Sequence, residues 1–148
     1  MKKMKKNNKG FSLVELIIVI AIMAVLVGVL APQFMKYVEQ SRRGTDIQNA
    51  EQIRTAILAD IASGTITADA TLAKFDGSAA KASTISTVPT VQGNLVNHGG
   101  NFYVTYSVAN GTCSVYPDNA TTYELTSSTG AASYKNTTTP APSPSEAP

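Results

Sequence analysis

The chain has 148 residues, one cysteine, one histidine and no tryptophan, with twelve Lys and Arg against ten Asp and Glu. That length accommodates one modest domain, and a single cysteine excludes an intramolecular disulfide framework. The net charge of +2 does not describe a basic surface: Lys2, Lys3, Lys5, Lys6 and Lys9 all precede Gly10, and the remainder carries seven cations against ten acids, which excludes a general electrostatic grip on nucleic acid.

Residues 1–10 read as a basic leader that stops at Gly10. From Phe11 to Ala31 the only ionisable residue is Glu15, and Leu16 to Ala31 is apolar or glycine throughout. A helix of that length rises about 32 Å, enough to cross a hydrocarbon core of about 30 Å. Five lysines before the span against Lys36, Arg42 and Arg43 after it place the amino end in the cytoplasm, as a single-pass membrane protein. A secretory signal cut after Ala31 has a similar layout. The apolar run exceeds the usual length of such a signal, and Pro32 would follow the cut, where proline is poorly accepted.

The other place to cut is after Gly10, which removes the lysines and leaves the span on the mature chain. Lys9-Gly10-Phe11-Ser12-Leu13-Val14-Glu15-Leu16 resembles the processing motif of type IV prepilins and related pseudopilins, over about residues 5–55. The resemblance implies that a membrane aspartyl peptidase cuts after Gly10, that the same enzyme methylates the new amino group of Phe11, and that Glu15 serves subunit assembly. An ionised side chain inside hydrocarbon costs at least a few kcal/mol and needs a partner or a function. Cutting at Gly10 creates such a partner at Phe11. Between neighbouring helices offset along a filament axis, that pair would set the step between subunits; a carboxylate reaching the nearby interface is the simpler reading of Glu15.

Pro32 lacks the N–H that would bond the carbonyl of Gly28, itself a weak helix former. The pair predicts either a simple kink or a segment that loses helicity when subunits pack, as the resemblance implies.

After Pro32 the pattern turns amphipathic. Phe34 and Val38, then Ile47, Ala50, Ile53, Ile57 and Ile61, recur at three- and four-residue spacing, which predicts one buried helical face over residues 32–63. Glu39 with Arg42 or Arg43, and Glu51 with Arg54, are spaced to pair along the exposed side. Gly44 marks a second candidate bend, and Gly64 a stop. The run Ser41-Arg42-Arg43 reads as a solvated helix face.

Residues 64–126 read as a connecting segment, with a short helix near Ala68 to Lys74, followed by a small antiparallel sheet. Asn101 to Val108 alternates, Asn110-Gly111 is a hairpin signal, Cys113 to Tyr116 returns, and Thr121 to Thr126 is the expected third strand. The fold class is therefore α+β, a long N-terminal helix packed on a small β head, the order the pilin resemblance implies. Residues 127–148, rich in Ser, Thr, Ala and Pro, read as a disordered tail.

No catalytic constellation, cofactor motif or metal-ligand spacing emerges. His98 sits in a turn-like stretch, Cys113 reads as an apolar strand residue, and Asp118, Asn119 and Glu124 are too few and too generic for a calcium site. Asn110, Asn119 and Asn136 begin glycosylation sequons of the kind Thr-rich sequence produces readily. The expected protein is not an enzyme. It is a subunit of a type IV pilus or pilus-like filament, with a type II secretion or competence pseudopilin as the alternative and a single-pass membrane-anchored binding domain as the non-filament rival. Its expected partners are further copies of itself, the prepilin peptidase and methylase, the pilus or secretion assembly machinery, and the membrane before assembly. No specific nucleic acid is among them.

Overall fold

A computed structural model describes residues 11–138. The expected leader with Gly10, and the last ten residues of the expected tail, lie outside the described residues. The elements follow in the order α1 Leu13–Ala62, β1 Ala70–Lys74, β2 Tyr103–Ser107, β3 Thr112–Tyr116 and α2 Ser128–Asn136. The chain parts into two compact units between Tyr37 and Val38.

In the first unit the described residues are almost entirely helix, and nothing covers them. Large apolar side chains along it stay open, from Val19 at 46% to Leu13 at 73%, and Phe34, Met35 and Tyr37 are similarly exposed. This stretch makes α1 long and apolar enough to cross a membrane. The helix runs unbroken through Gly28, Pro32 and Gly44.

The second unit is built on the rest of α1. Ala50, Ile53, Ala56 and Ile57 form one buried stripe and pack with Phe75, Val91, Phe102, Val104, Cys113, Val115, Leu125 and Tyr134. Their recurrence at three and four residues is the helical period, so a single face serves the core. The helix ends where Gly64 takes φ +75°. The N–H of Gly64 bonds the carbonyl of Ile61, and that of Thr65 bonds Asp60, the paired bonds of a Schellman stop. Most residues resist that left-handed conformation; glycine takes it without a Cβ clash.

The sheet is three-stranded, ordered β1-β2-β3 and antiparallel throughout. Val104 faces Val115, and Ser107 pairs Thr112 across a hairpin that carries Gly111 at φ +62°. The alternation in β2 and β3 puts Val104, Cys113 and Val115 inward.

Two segments depart from the sequence reading within the sheet. The short helix expected near Ala68 to Lys74 is β1. Most of its residues favour helix, but β2 offers an open edge, and pairing across a sheet outweighs local preference. Asp69 anchors the entry by accepting the N–H of Val108 at 2.7 Å, and Leu72, at φ +46°, sits in the register shift between Ala70 and Ala73. The third strand expected at Thr121 to Thr126 does not form. Thr121 has φ +57°, and the segment reaches β3 through one backbone bond, Leu125 N–H to Val115 carbonyl at 2.8 Å. Side chains complete the edge, with Thr126 Oγ1 accepting from Val115 N–H at 3.2 Å and Ser114 Oγ donating to Glu124 at 2.7 Å.

The expected disordered tail also begins too early at Ser127. Ser127 caps α2, accepting the Gly130 N–H at 3.0 Å, and Tyr134 is fully buried. Burying one such aromatic side chain is worth about 2 kcal/mol. That anchor orders a segment whose composition alone gives no reason for order.

Candidate functional site

The amino-terminal site is built by the first turn of α1. Phe11 and Ser12 precede the helix, and Phe11 is 93% exposed. The carbonyl of Ser12 accepts the N–H of Leu16 at 3.2 Å, the first helical bond. The Ser12 N–H donates to Glu15 Oε2 at 2.8 Å, and Ser12 Oγ lies 3.4 Å from the Val14 N–H. Glu15 thus makes the carboxylate half of a capping box, reaching back to the N-cap N–H, while the Ser12 hydroxyl meets the N–H of Val14. A carboxylate in this first turn is also favoured by the positive end of the helix dipole. Glu15 therefore turns back onto the backbone N–H of Ser12.

Gly28 and Pro32 stand further along the same exposed helix, and a Cβ built at Gly28 meets nothing within 4 Å. Helical geometry leaves the Gly28 carbonyl without its usual donor, since Pro32 has no N–H.

A second polar cluster lies in the head, and sequence reasoning missed it. Arg43 is only 1% exposed and Asp46 is fully buried; the reading of Ser41-Arg42-Arg43 as a solvated face fails at Arg43. Its Nε donates to Glu39 Oε1 at 2.8 Å, and its Nη1 donates to the carbonyls of Tyr134 and Thr137 at 3.0 and 2.5 Å. Those carbonyls close the end of α2, where a cation suits the helix dipole. The Arg43 guanidinium also lies 5.8 Å from the Tyr134 ring centre. Asp46 accepts from the Gln92 N–H at 2.7 Å, the Gly93 N–H at 2.8 Å and the Tyr134 hydroxyl at 2.7 Å. Glu39 Oε1 takes the next N–H, from Asn94, at 2.8 Å.

Burial raises the Asp46 carboxyl above its ordinary range, against the opposing pull of those three donors. Burial, then the hydrogen bond to Asp46, likewise raises the Tyr134 hydroxyl. A fully buried carboxylate that accepts from three protein donors is shut away from any substrate. Its role is to weld three stretches distant in sequence: α1, residues 92–94 and α2. A signal did exist, because stepping back four residues from Ile47 on the buried face lands on Arg43.

The remaining polar candidates are placed structurally. Burial pushes the Cys113 thiol up to about 11, so it stays protonated and weakly nucleophilic at neutral pH. His98 Nδ1 lies 2.9 Å from the Gln92 carbonyl in an exposed loop. Asp118 accepts the Ala120 N–H at 3.1 Å, whereas Glu124 turns to Ser114 and Thr126. Among the described residues, no group of three or more His, Cys, Asp or Glu side chains is placed to hold a metal ion. Glu51 and Arg54 pair at 3.6 Å on the exposed side of α1, as their spacing predicts.

Residues 5–31 match the family model described as the prokaryotic N-terminal methylation motif. The chain carries a prepilin-type methylation motif. The exposed Phe11 and Glu15 both fall within it. The type IV major fimbrial protein FimA of Dichelobacter nodosus is 41% identical over 54 residues, which cover 36% of this chain and 35% of the fimbrial protein. Prepilin peptidase-dependent protein A of Clostridium perfringens (strain 13 / Type A) is 35% identical over 75 residues, 50% of this chain and 54% of that protein. The chain thus spans about a third of the fimbrial proteins and about half of the clostridial protein. No solved structure gives a significant match. The long apolar helix followed by a small antiparallel sheet is an α+β arrangement of the type IV pilin kind.

Proposed function

We propose that this chain is a structural subunit of a type IV pilus or pilus-like filament. It is made as a membrane-anchored precursor, cut after Gly10 by a prepilin peptidase, methylated on the amino group of Phe11, and assembled through α1. The supporting observation is a methylation motif over residues 5–31 that runs into a helix whose apolar surface is uncovered from Leu13 to Leu30, with Glu15 as the one charged side chain in that stretch. An apolar patch of that extent calls for a second apolar phase. Lipid supplies it for the precursor, and the helices of other copies supply it in a filament.

Glu15 and the amino group of Phe11 form the charge pair between neighbouring copies, and Gly28 with Pro32 lets the helix adjust as copies pack. The amino end lies in the cytoplasm before assembly, and the β heads face outward in an extracellular filament. The buried Asp46, held by three protein donors, and the protonated Cys113 support a structural role for the head in place of a catalytic one. The same features suit a type II secretion or competence pseudopilin, which would form a short filament between the membranes.

Glu15→Ala in the full-length chain tests the assembly role. Membrane fractionation should show unchanged insertion, while electron microscopy and shearing of the cells should show no filaments containing the variant. Filament yield equal to wild type would reduce Glu15 to a capping residue and favour a plain anchored domain.

A further inference from the structure

We propose that Phe34, Lys36 and Tyr37 anchor α1 at the membrane boundary away from its amino end, with the lipid headgroup layer as their partner. The proposal rests on the membrane-anchored precursor proposed above.

Glu15 and Lys36 are the charged residues that bracket an uncharged run, Leu16 to Met35. Helix α1 crosses that run without a break. About 20 residues of helix rise 30 Å or so, which is the thickness of a hydrocarbon core. With Glu15 at one boundary, Lys36 therefore stands at the other. Sliding the helix along its axis in either direction would draw one of the two charges into hydrocarbon, at a cost of at least a few kcal/mol. Gln33, the one polar side chain within the run, lies at the Lys36 end of it.

The side chains at that boundary have the chemistry of a headgroup layer. Phe34 is 68% exposed and Tyr37 67%. A tyrosine ring lies against acyl chains while its hydroxyl meets water and headgroups. Lys36 is exposed as well, and a lysine lays its apolar stem along hydrocarbon while its ammonium reaches the lipid phosphates. Their arrangement around the helix selects lipid over a protein partner. Phe34 and Tyr37 lie one turn apart on the same side, whereas Lys36 projects about 200° around the axis from Phe34, and Met35, also exposed, about 100°. A protein docked on α1 would cover one of these directions. A headgroup layer surrounds the helix and meets all of them at one depth. Interfacial aromatic and cationic side chains of this kind set how a span sits in its bilayer.

The chain has no tryptophan, so a single substitution introduces a single fluorescent reporter. Phe34→Trp, Met35→Trp, Tyr37→Trp and, as a mid-span control, Leu26→Trp are each made in the full-length chain. Each is reconstituted at large lipid excess into vesicles of phosphatidylcholine and phosphatidylglycerol, with bromine on the acyl chains either near the ester groups or near the chain ends. The reporters at positions 34, 35 and 37 should all be quenched more by the shallow bromines, whichever side of the helix they occupy, and Leu26→Trp more by the deep ones. Adding Phe34→Ser, Lys36→Ser and Tyr37→Ser to Leu26→Trp should shift its quenching toward the shallow bromines as the span loses its hold. Two results would overturn the proposal and leave the membrane reading intact: boundary reporters that neither bromine quenches or that only one side of the helix shields, and a Leu26→Trp reporter that the three serines do not move. Leu26→Trp quenched by neither bromine would remove the membrane reading and the proposal together.

Discussion

Tyr134→Phe isolates the polar weld in the head. The substitution deletes one hydroxyl and keeps the ring, which packs 5.5 Å from the Tyr123 ring and beside Arg43. What is lost is a buried 2.7 Å bond to a carboxylate that keeps its Gln92 and Gly93 donors. Hydrogen bonds to charged groups contribute about 1.5–3 kcal/mol each, so a loss of about 2 kcal/mol is expected. For a domain of this size that lowers Tm by about 10 °C. The assay is near-ultraviolet circular dichroism of the detergent-solubilised full chain on heating, at pH 7 and again under acid conditions. The hydroxyl stabilises the ionised form of Asp46, so the deficit should shrink as the pH falls and Asp46 takes up a proton. A Tm within about 2 °C of wild type at pH 7, or a deficit that does not change with pH, would refute the reasoning.

The sign for Asp46 itself follows from its raised folded value. Its contribution to stability is fully present below the unfolded value of 3.8 and is lost as the pH rises through the folded one. Asp60 behaves oppositely, because the Ser83 hydroxyl, then the Ser83 N–H, hold its carboxyl below 3.8. Stability from that contact is present above 3.8 and lost as the pH falls through the depressed value. Ser83→Ala should therefore move the Asp60 carboxyl titration, followed by carbon NMR, back toward its ordinary value and destabilise the head above pH 3.8 by an amount that shrinks as the pH falls; an unmoved titration would show that the contact does not form. At Gly93 a Cβ would stand 2.6 Å from the Tyr134 hydroxyl oxygen and 2.9 Å from Arg43 Cγ. Gly93→Ala should cost about 1–3 kcal/mol by overpacking, seen as a lower Tm, and no loss would mean that the loop yields there freely. Cys113 should resist alkylation at pH 8 in the folded chain and react within minutes in denaturant; rapid labelling of the folded chain would place it at the surface.

The long helix was legible because its two halves obey different rules that single residues state openly. Leu16 to Ala31 is uniformly apolar, and Ile47 to Ile61 keeps the helical period. Gly64 was likewise readable as the stop, since the left-handed turn it makes suits few other residues. The hairpin around Asn110-Gly111 followed from the same backbone argument. What the sequence concealed depended on contacts between distant segments. Ala70 to Lys74 is a strand because of the edge of β2, and Thr121 to Thr126 is not one because side chains of Thr126 and Ser114 make most of its contacts with β3. Arg43 looked solvated because charge usually means surface. Its neighbours on the buried face were the better guide. Tyr134 was hidden by the low-complexity composition around it, although one large aromatic among small residues suffices to dock a short helix.

The amino-terminal site divides in the same way. Its residue types identified the motif, but the direction of Glu15 did not follow from them. The structure turns that carboxylate back onto the backbone N–H of Ser12, within its own chain.

Intact mass and amino-terminal sequencing of the chain recovered from membranes test the central claim most directly. The account predicts a mature chain that begins at Phe11 and is one methyl group heavier than its sequence. A chain that still begins at Met1, or one that begins at Pro32, would contradict it.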